Sequence, residues 1–154
     1  MFTGVLLGIA RHDRPKGPME TVDRVAVTVA EGIHGDYRGA LKPGRNKRQV
    51  TLLAAADWRA ALADLGNPPI DWSERRANLL IDGLALPRET GMRIALAGGV
   101  LLEVTGETDP CERMEAVHRG LRAALTPDWR GGITTRVLQG GALAVGDEVR
   151  IETP

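Results

Sequence analysis

The sequence predicts a mainly β fold with added α-helices, in which a β-barrel or strongly curved sheet carries two helices. Nineteen glycines and nine prolines interrupt the 154-residue chain too often for a helical bundle. Between them, apolar residues recur with the period of two that is typical of half-buried strands. The strand-like and helical runs show no regular βαβ alternation, which disfavours a doubly wound sheet. We expect a single domain over residues 1–154, because a domain has roughly 100–200 residues.

The first 82 residues contain four strand-like runs and one helical run. A valine occupies every second position from Val25 to Val29, as in a half-buried strand. Apolar residues spaced i, i+3, i+4 and i+7 from Trp58 predict a helix, and Gly66 supplies its C-terminal stop. The predicted strands of this part are 5–10, 25–29, 49–53 and 78–82.

The remainder of the chain predicts a β-hairpin, a second helix and two more short strands. The hairpin covers residues 93–105, where alternating apolar residues flank a turn at Gly98-Gly99. The second helix covers 110–125, with its apolar residues on one face. The two short strands lie within 133–151 and are separated by glycines.

The composition excludes several classes of protein. Twenty basic and twenty acidic residues leave no net charge, which disfavours a protein that coats nucleic acid or an anionic membrane. Aromatic residues make up only 3% of the chain, too few to stack on single-stranded bases. No apolar run approaches the roughly 20 residues of a membrane span, and the N-terminal apolar run lacks the basic start of a signal peptide. We therefore expect a cytoplasmic protein with neither nucleic-acid nor membrane partners.

The single cysteine, Cys111, excludes an internal disulfide and any zinc site of the Cys-x-x-Cys type. Asp109 and Glu112 around it have the spacing of a capping box, and Pro110 fits the first helical position. This pattern predicts Cys111 at the second helical position, beside unpaired backbone N–H groups that favour a thiolate. The alternative is a small buried apolar residue. A Cys–His hydrolase pair on this helix is disfavoured, because His118 would lie about 10 Å further along the axis.

Three basic clusters are candidate anion-binding sites. The first is a glycine-rich loop, where backbone N–H groups can approach a ligand and arginine can hold phosphate as a fork. Arg75-Arg76 form the second cluster, and Arg136 belongs to the third, close to a Gly-Gly pair. Solvated surface charge is the alternative for each, and His34 with Asp36 are too few to make a metal site. The basic residues of the first loop are Arg38, Lys42, Arg45, Lys47 and Arg48.

Six segments of the chain follow the order of a known family. They are 32–36 (GIHGD), 48–53 (RQVTLL), 76–83 (RANLLIDG), 98–106, 110–114 (PCERM) and 131–147. Their order and spacing, with a lone cysteine after a proline, resemble the MOSC domain, named for the C-terminal domain of molybdenum-cofactor sulfurases. The similarity covers nearly the whole chain, and we expect a small, stand-alone member of this family.

The resemblance implies a MOSC-type β-barrel and a cleft whose cysteine handles sulfur or molybdenum. In the family, the position matching Cys111 is thought either to carry a persulfide or to ligate the molybdenum of a pterin-dithiolene cofactor. Both roles need a thiolate, and soft sulfur ligands suit such a metal. Cys111 is therefore the candidate catalytic residue and the candidate metal ligand.

The resemblance also implies contacts to the molybdenum cofactor (molybdopterin). The Arg-x-Asn segment at 76–78 is expected near the pterin or its phosphate, and the Gly-Asp segment at 35–36 has either a ligand or a packing role. Two arginines of the basic clusters complete the set. The candidate cofactor-binding residues are Arg76, Asn78, Gly35, Asp36, Arg48 and Arg136.

Two hypotheses of function follow, from different classes. The first is a molybdenum-cofactor-binding protein or sulfur carrier that acts through Cys111. As a reductase of N-hydroxylated substrates it would need an external electron-transfer protein, and as a sulfurtransferase it would need a sulfur donor or acceptor protein. No lysine motif indicates a pyridoxal-phosphate site. The alternative is a non-catalytic β-barrel module that binds phosphate-bearing ligands or partner proteins.

Overall fold

The structure is a computed structural model that describes residues 3–154, within which eleven strands and three α-helices are found. The mainly β fold with helices that the sequence predicts is therefore confirmed. The strands are β1 (Thr3–Arg11), β2 (Glu20–Val22), β3 (Arg24–Thr28), β4 (Gly32–Ile33), β5 (Val50–Ala54), β6 (Leu79–Asp82), β7 (Arg93–Leu96), β8 (Leu101–Glu107), β9 (Ile133–Gln139), β10 (Gly141–Ala144) and β11 (Glu148–Glu152). The helices are α1 (Ala55–Ala63), α2 (Glu112–Val117) and α3 (Leu121–Leu125).

Seven strands close into a barrel in the order β1-β11-β7-β8-β9-β5-β6, and β6 pairs with β1 to complete the ring. The β5–β6 pair is parallel, and the other six pairs around the ring are antiparallel. Closure leaves no free edge in the ring, so every barrel strand has two neighbours. β2 extends the sheet beside β1, and a separate sheet has the order β10-β3-β4.

The barrel interior is an apolar core to which nearly every strand contributes. Leu6, Ile9, Leu52 and Ile94 are fully buried there. The three-stranded sheet belongs to the same core, since its inward residues Val25, Val27, Ile33 and Leu143 pack against the barrel residues. This burial explains the alternation in β3, where the valines point inward and the residues between them are exposed.

The helices cover one outer face of the barrel, and β5 lies between them and the interior. All five residues of β5 are buried, which explains why its sequence is apolar apart from Thr51 and does not alternate. Leu52 belongs to the barrel core, whereas its neighbour Leu53 packs outward against Trp58, Met114 and Leu121 of the three helices.

The prediction of one continuous helix over 110–125 is wrong, because the structure has two helices there and the first begins at Glu112. They are α2 and α3, separated at Gly120, which has φ +88°. The predicted apolar face is nonetheless kept, because Met114, Leu121 and Leu125 are all fully buried. The capping box does not form, since Cys111 rather than Asp109 occupies the N-cap position and has extended backbone geometry.

The remaining strand predictions agree with the structure except in number. The hairpin around Gly98-Gly99 is confirmed as β7 and β8. The C-terminal region forms three strands rather than two. β2 and β4 were not predicted, because runs of two or three residues are too short to show alternation. Within residues 3–154, no helix is both long enough and apolar enough to span a membrane.

We expect Leu53→Ala to destabilise the fold by about 2–5 kcal/mol, because it removes a fully buried side chain and leaves a cavity between barrel and helices. Leu7→Ala is the matched control, since Leu7 lies on β1 and is 41% exposed. Urea unfolding followed by circular dichroism gives both values. Equal losses for the two variants would contradict the packing of the helices on β5.

Candidate functional site

A cleft of about 400 Å³ opens at one end of the barrel, beside the helices. Its walls come from segments that are distant in the chain. They include the residues after β1, the loop before β5, the short 3-10 helix Trp72–Arg75 with the turn that follows it, and the connection from β8 into α2. Four of the predicted site residues line this cleft together with Cys111: Arg76, Asn78, Asp36 and Arg48.

The cleft carries a strong excess of positive charge, although the chain as a whole is neutral. Two carboxylates, Asp36 and Asp109, face six basic side chains. Within residues 3–154, none of these six takes part in an ion pair, whereas Arg11, Arg59 and Arg136 elsewhere are paired. Such a concentration of unpaired cations favours an anionic ligand. The six basic residues are Lys16, Arg38, Arg48, Arg75, Arg76 and Arg113.

Arg75 is the most buried of the cleft cations, with 6% of its surface exposed. Its Nε donates to the carbonyl of Gly131 at 3.1 Å and its Nη2 to the carbonyl of Thr108 at 2.9 Å. A side chain at position 131 would collide with that Thr108 carbonyl, so the close approach requires glycine. Burial lowers the pKa of Arg75 to about 10, and the guanidinium therefore stays charged at neutral pH.

Arg76 ends the 3-10 helix in the left-handed region, with φ +65° and ψ +25°. A non-glycine residue in this conformation costs about 1–3 kcal/mol, and such strain often occurs at functional sites. The pKa of Arg76 is lowered by burial and then by the positive charges of Arg113 and Arg38. The geometry therefore holds Arg76 in the cleft beside two other arginines.

Asn78 forms part of the cleft wall, and its side chain joins three barrel strands. Its Oδ1 accepts from the backbone N–H of Thr51 at 2.9 Å, and its Nδ2 donates to the carbonyl of Ala10 at 3.1 Å. The Thr51 hydroxyl also accepts from the Asn78 backbone N–H at 3.1 Å. These bonds assign Asn78 chiefly to positioning the strand ends.

Asp36 and His12 form a buried polar pair at the inner edge of the cleft. The Asp36 carboxylate accepts from the backbone N–H groups of His12 at 3.2 Å and of Gly39 at 3.1 Å, and so fixes its loop on β1. The pKa of His12 is lowered, chiefly by burial; Asp36 opposes this, and three arginines, Arg76, Arg38 and Arg113, reinforce it.

Cys111 is an exposed free thiol on the cleft wall, not a buried apolar residue. The stabilisation expected from a helix start is weak, because α2 has only six residues and Cys111 precedes them. Arg75 is the cleft cation coupled to Cys111, because a negative charge on Cys111 opposes the lowering of the Arg75 pKa that burial causes.

Two predicted site residues lie outside this cleft. Gly35 lines a neighbouring groove of about 330 Å³, where the Arg11 guanidinium packs against it. Arg136 lies on β9 and donates to Glu103 at 2.8 Å. The His34–Asp36 pair forms no metal site, because His34 pairs with Glu31 at 3.1 Å and Asp36 binds backbone groups.

Sequence reasoning missed four residues of the cleft: His12, Lys16, Thr51 and Thr108. Thr51 lies within the 48–53 segment, but no motif surrounds the other three, and strand pairing brings all four together. The one available signal for those three was position, since His12 lies two residues after the predicted strand 5–10 and Thr108 two residues before the segment 110–114.

Comparison with known proteins assigns the family. The family model described as MOSC domain matches residues 38–150, which is most of the chain. The chain belongs to the MOSC domain family. No curated protein matches this MOSC protein in sequence.

Solved structures share the fold of this MOSC protein. The YuaD protein from Bacillus subtilis is 23% identical, with 100% of both chains covered and a TM-score of 0.79. YiiM from Escherichia coli is 13% identical, with a TM-score of 0.71 over 97% of this chain and 70% of YiiM. YiiM from Geobacillus stearothermophilus is 18% identical, with a TM-score of 0.66 over 97% of this chain and 73% of YiiM. The expected MOSC-type barrel is thus confirmed.

The cleft of this MOSC protein offers one thiol and six basic side chains, which would suit a metal that is already held by an anionic organic ligand. Within residues 3–154, no group of three or more His, Cys, Asp or Glu side chains is arranged to hold a metal ion. A molybdenum already bound by dithiolene sulfurs would find one further soft ligand here in Cys111. The six unpaired cations fit the phosphate of such a cofactor.

We expect Asn78→Ala to lower the free energy of unfolding by about 2–4 kcal/mol, because it leaves the Thr51 N–H and the Ala10 carbonyl unpaired. Asn46→Ala is the control, since the bonds of Asn46 lie in an exposed loop. Urea unfolding of both variants measures the difference. A loss no greater than that of the control would contradict the positioning role.

We expect the MOSC protein to lose stability as the pH falls below about 6.5, the ordinary pKa of histidine in the unfolded chain. Because the folded-state pKa of His12 is lowered, the unfolded chain binds the proton first, and the loss stops at the folded-state pKa. Urea unfolding between pH 8 and pH 5 measures this slope. His12→Gln should reduce the dependence of the unfolding free energy on pH, and His118→Gln, the control, should not change it. An unchanged dependence in His12→Gln would show that His12 is not its source.

Proposed function

We propose that this MOSC protein binds the molybdenum cofactor in its basic cleft, with the thiolate of Cys111 as the protein ligand to the metal. The observation that carries the proposal is the position of the chain's single thiol. It is exposed on the wall of a cleft that contains six basic side chains and two acidic ones. Thiolate and guanidinium groups together match a ligand that is both a soft metal and an anion.

The charged side chains of the cleft form two groups, one that acts on Arg75 and one that acts on His12, and this grouping supports an orientation for the ligand. The charges that act on Arg75 are those of Cys111, Arg48 and Asp109. We call this the thiol end, and the buried Thr108 belongs to it through its bond to Arg75.

The other end is built around His12. The charges that act on it are those of Asp36, Arg76, Arg38 and Arg113, and none of these acts on Arg75. We call this the histidine end. We therefore orient an elongated cofactor with its metal towards Cys111 and its phosphate towards the three arginines that act on His12.

When bound, the molybdenum would supply oxygen-atom transfer from an N-hydroxylated substrate, with electrons from a separate protein. The residues of this chain bind and orient. Cys111 offers one sulfur ligand, Arg75 holds negative charge close to it, and Arg76 contacts the anionic part of the cofactor. Asn78 and Asp36 keep the walls in place through their bonds to strand and loop backbone.

The exposure of Cys111 also favours a second candidate, a persulfide carrier. A donor protein's persulfide can reach an exposed thiolate and transfer its outer sulfur to it, which leaves the donor as a thiolate and Cys111 as a persulfide. Arg75 is the cation coupled to this position. Cyanide-releasable sulfur on Cys111 in the isolated protein would identify this role.

The test is the molybdenum and pterin content of protein purified from cells rich in the cofactor, measured by elemental analysis and by fluorescence of the oxidised pterin. We expect near-stoichiometric molybdenum in the wild type and its loss in Cys111→Ser, since serine offers no thiolate. We expect Arg76→Ala to lose pterin as well as metal. Arg59→Ala, outside the cleft and paired with Asp82, is the matched control and should retain both.

Two outcomes would contradict the proposal. Absence of both molybdenum and pterin from the wild type would rule out tight binding of the cofactor. Equal metal content in wild type and Cys111→Ser would remove the cysteine from the site, and would favour a non-catalytic barrel that binds phosphate-bearing ligands through its arginines alone.

A further inference from the structure

His12 is a buried imidazole that neither proposed role of Cys111 uses. It directly follows β1 and is 8% exposed. Charged groups from three neighbouring segments act on it. Asp36 and Arg38 come from the loop before β5, Arg76 from the end of the 3-10 helix and Arg113 from α2. Its ring also lies against Tyr37, with 6.1 Å between ring centroids.

The two ring nitrogens of His12 differ in burial: Nδ1 is buried, and Nε2 is not among the buried unpartnered atoms. Nδ1 is buried without a hydrogen-bond partner within the described residues, and the nearest Asp36 oxygen is 3.6 Å away. That distance is too long for a hydrogen bond but short enough for an ion pair once the ring is charged. Nε2 is not among the buried unpartnered atoms, and His12 lines both the cleft and the groove that contains Gly35, so this edge of the ring is the one that solvent or a ligand can reach.

Burial and the positive charges of the cleft favour the neutral form of His12 in the free protein. Burial opposes the charged form, and three guanidinium groups in the cleft repel it, against the attraction of Asp36 alone. In the groove shared with Gly35, the charges largely cancel, because Arg11 pairs with Glu20, Arg14 with Asp13 and His34 with Glu31. On the cleft side, Lys16 adds a further cation to the three arginines. The cleft arginines are therefore the charges that a ligand can change.

An oxyanion bound among those arginines would reverse the balance. It neutralises the repulsion on the ring and adds an attraction of its own, while Asp36 remains in place beside Nδ1. Protonation then gives the Nδ1–H a carboxylate partner and makes the Nε2–H a donor towards the cleft.

We propose that His12 takes up one proton when a phosphate-type oxyanion binds among Arg38, Arg76 and Arg113, and that the imidazolium, held by Asp36, becomes a ligand of the anion. The inference rests on the anion-binding end of the proposed cofactor cleft and not on molybdenum. Anion binding at this end is thus linked to pH through a single side chain.

The sign of the linkage follows from the uptake of a proton. A ligand that binds the protonated form more tightly raises the pKa of His12, so its affinity increases as the pH falls. The affinity is constant above the pKa of the complex and again below the pKa of the free protein. An increase of one pKa unit corresponds to about tenfold tighter binding at the acidic limit than at the alkaline limit.

Proton NMR of the histidine rings tests this in the wild-type protein. The chain has three histidines, and His12→Gln, His34→Gln and His118→Gln assign their signals. Sulfate is the probe, because it stays a dianion from pH 5 to pH 8.5, whereas inorganic phosphate titrates in this range. We expect saturating sulfate to raise the pKa of His12 by one unit or more, with a much smaller effect on His118.

Titration calorimetry in two buffers with different ionisation enthalpies counts the protons taken up as sulfate binds. We expect an uptake of about half a proton for an increase of one pKa unit, and more for a larger increase, at a pH midway between the pKa values of His12 in the free protein and in the complex. This uptake should occur in the wild type and in His118→Gln and should be near zero in His12→Gln. Sulfate binding that leaves the pKa of His12 unchanged, or that takes up no proton, would overturn the inference. So would failure of sulfate to bind, whereas the metal and pterin analyses would still decide the cofactor proposal separately.

Discussion

The side chain of Asn78 is the interaction on which the cleft depends. One amide group satisfies a backbone donor on β5 and a backbone acceptor on β1, while the residue itself leads into β6. The three strand ends are therefore fixed relative to one another at the same mouth of the barrel. His12 lies two residues beyond Ala10, and Arg76 two residues before Asn78, so both have little freedom to leave the cleft.

The cleft differs from the rest of the surface in the pairing of its basic side chains. Arginines such as Arg59, Arg130 and Arg150 form ion pairs with nearby carboxylates. The cleft instead collects cations without partners, and it buries one of them, Arg75, on two backbone carbonyls. Mutual repulsion and burial both destabilise such an arrangement in the free protein. A bound anion would offset the mutual repulsion, as the proposed function requires.

The fold was largely predictable from sequence, because alternating apolar residues and glycines mark most barrel strands. The helix over 110–125 was not, since its apolar spacing continues across Gly120, where the chain changes direction. In the site, the sequence indicated Arg76 and Cys111, which lie beside recognisable local patterns. It did not indicate His12 or Thr108, because each becomes part of the cleft only through pairings between strands far apart in the chain.

The separation of the thiol end from the histidine end has a consequence for selectivity. A single cysteine is a weak anchor for a metal, and any exposed thiol would also attract unrelated soft ions. If the anionic part of the ligand must first be held by Arg38, Arg76 and Arg113, then only a metal attached to such an anion is brought to Cys111. His12, placed among these arginines, would make that first step sensitive to pH, whereas Arg75 stays charged throughout the physiological range. In the proposed function, recognition of the anion and ligation of the metal would therefore depend on different residues of one cleft.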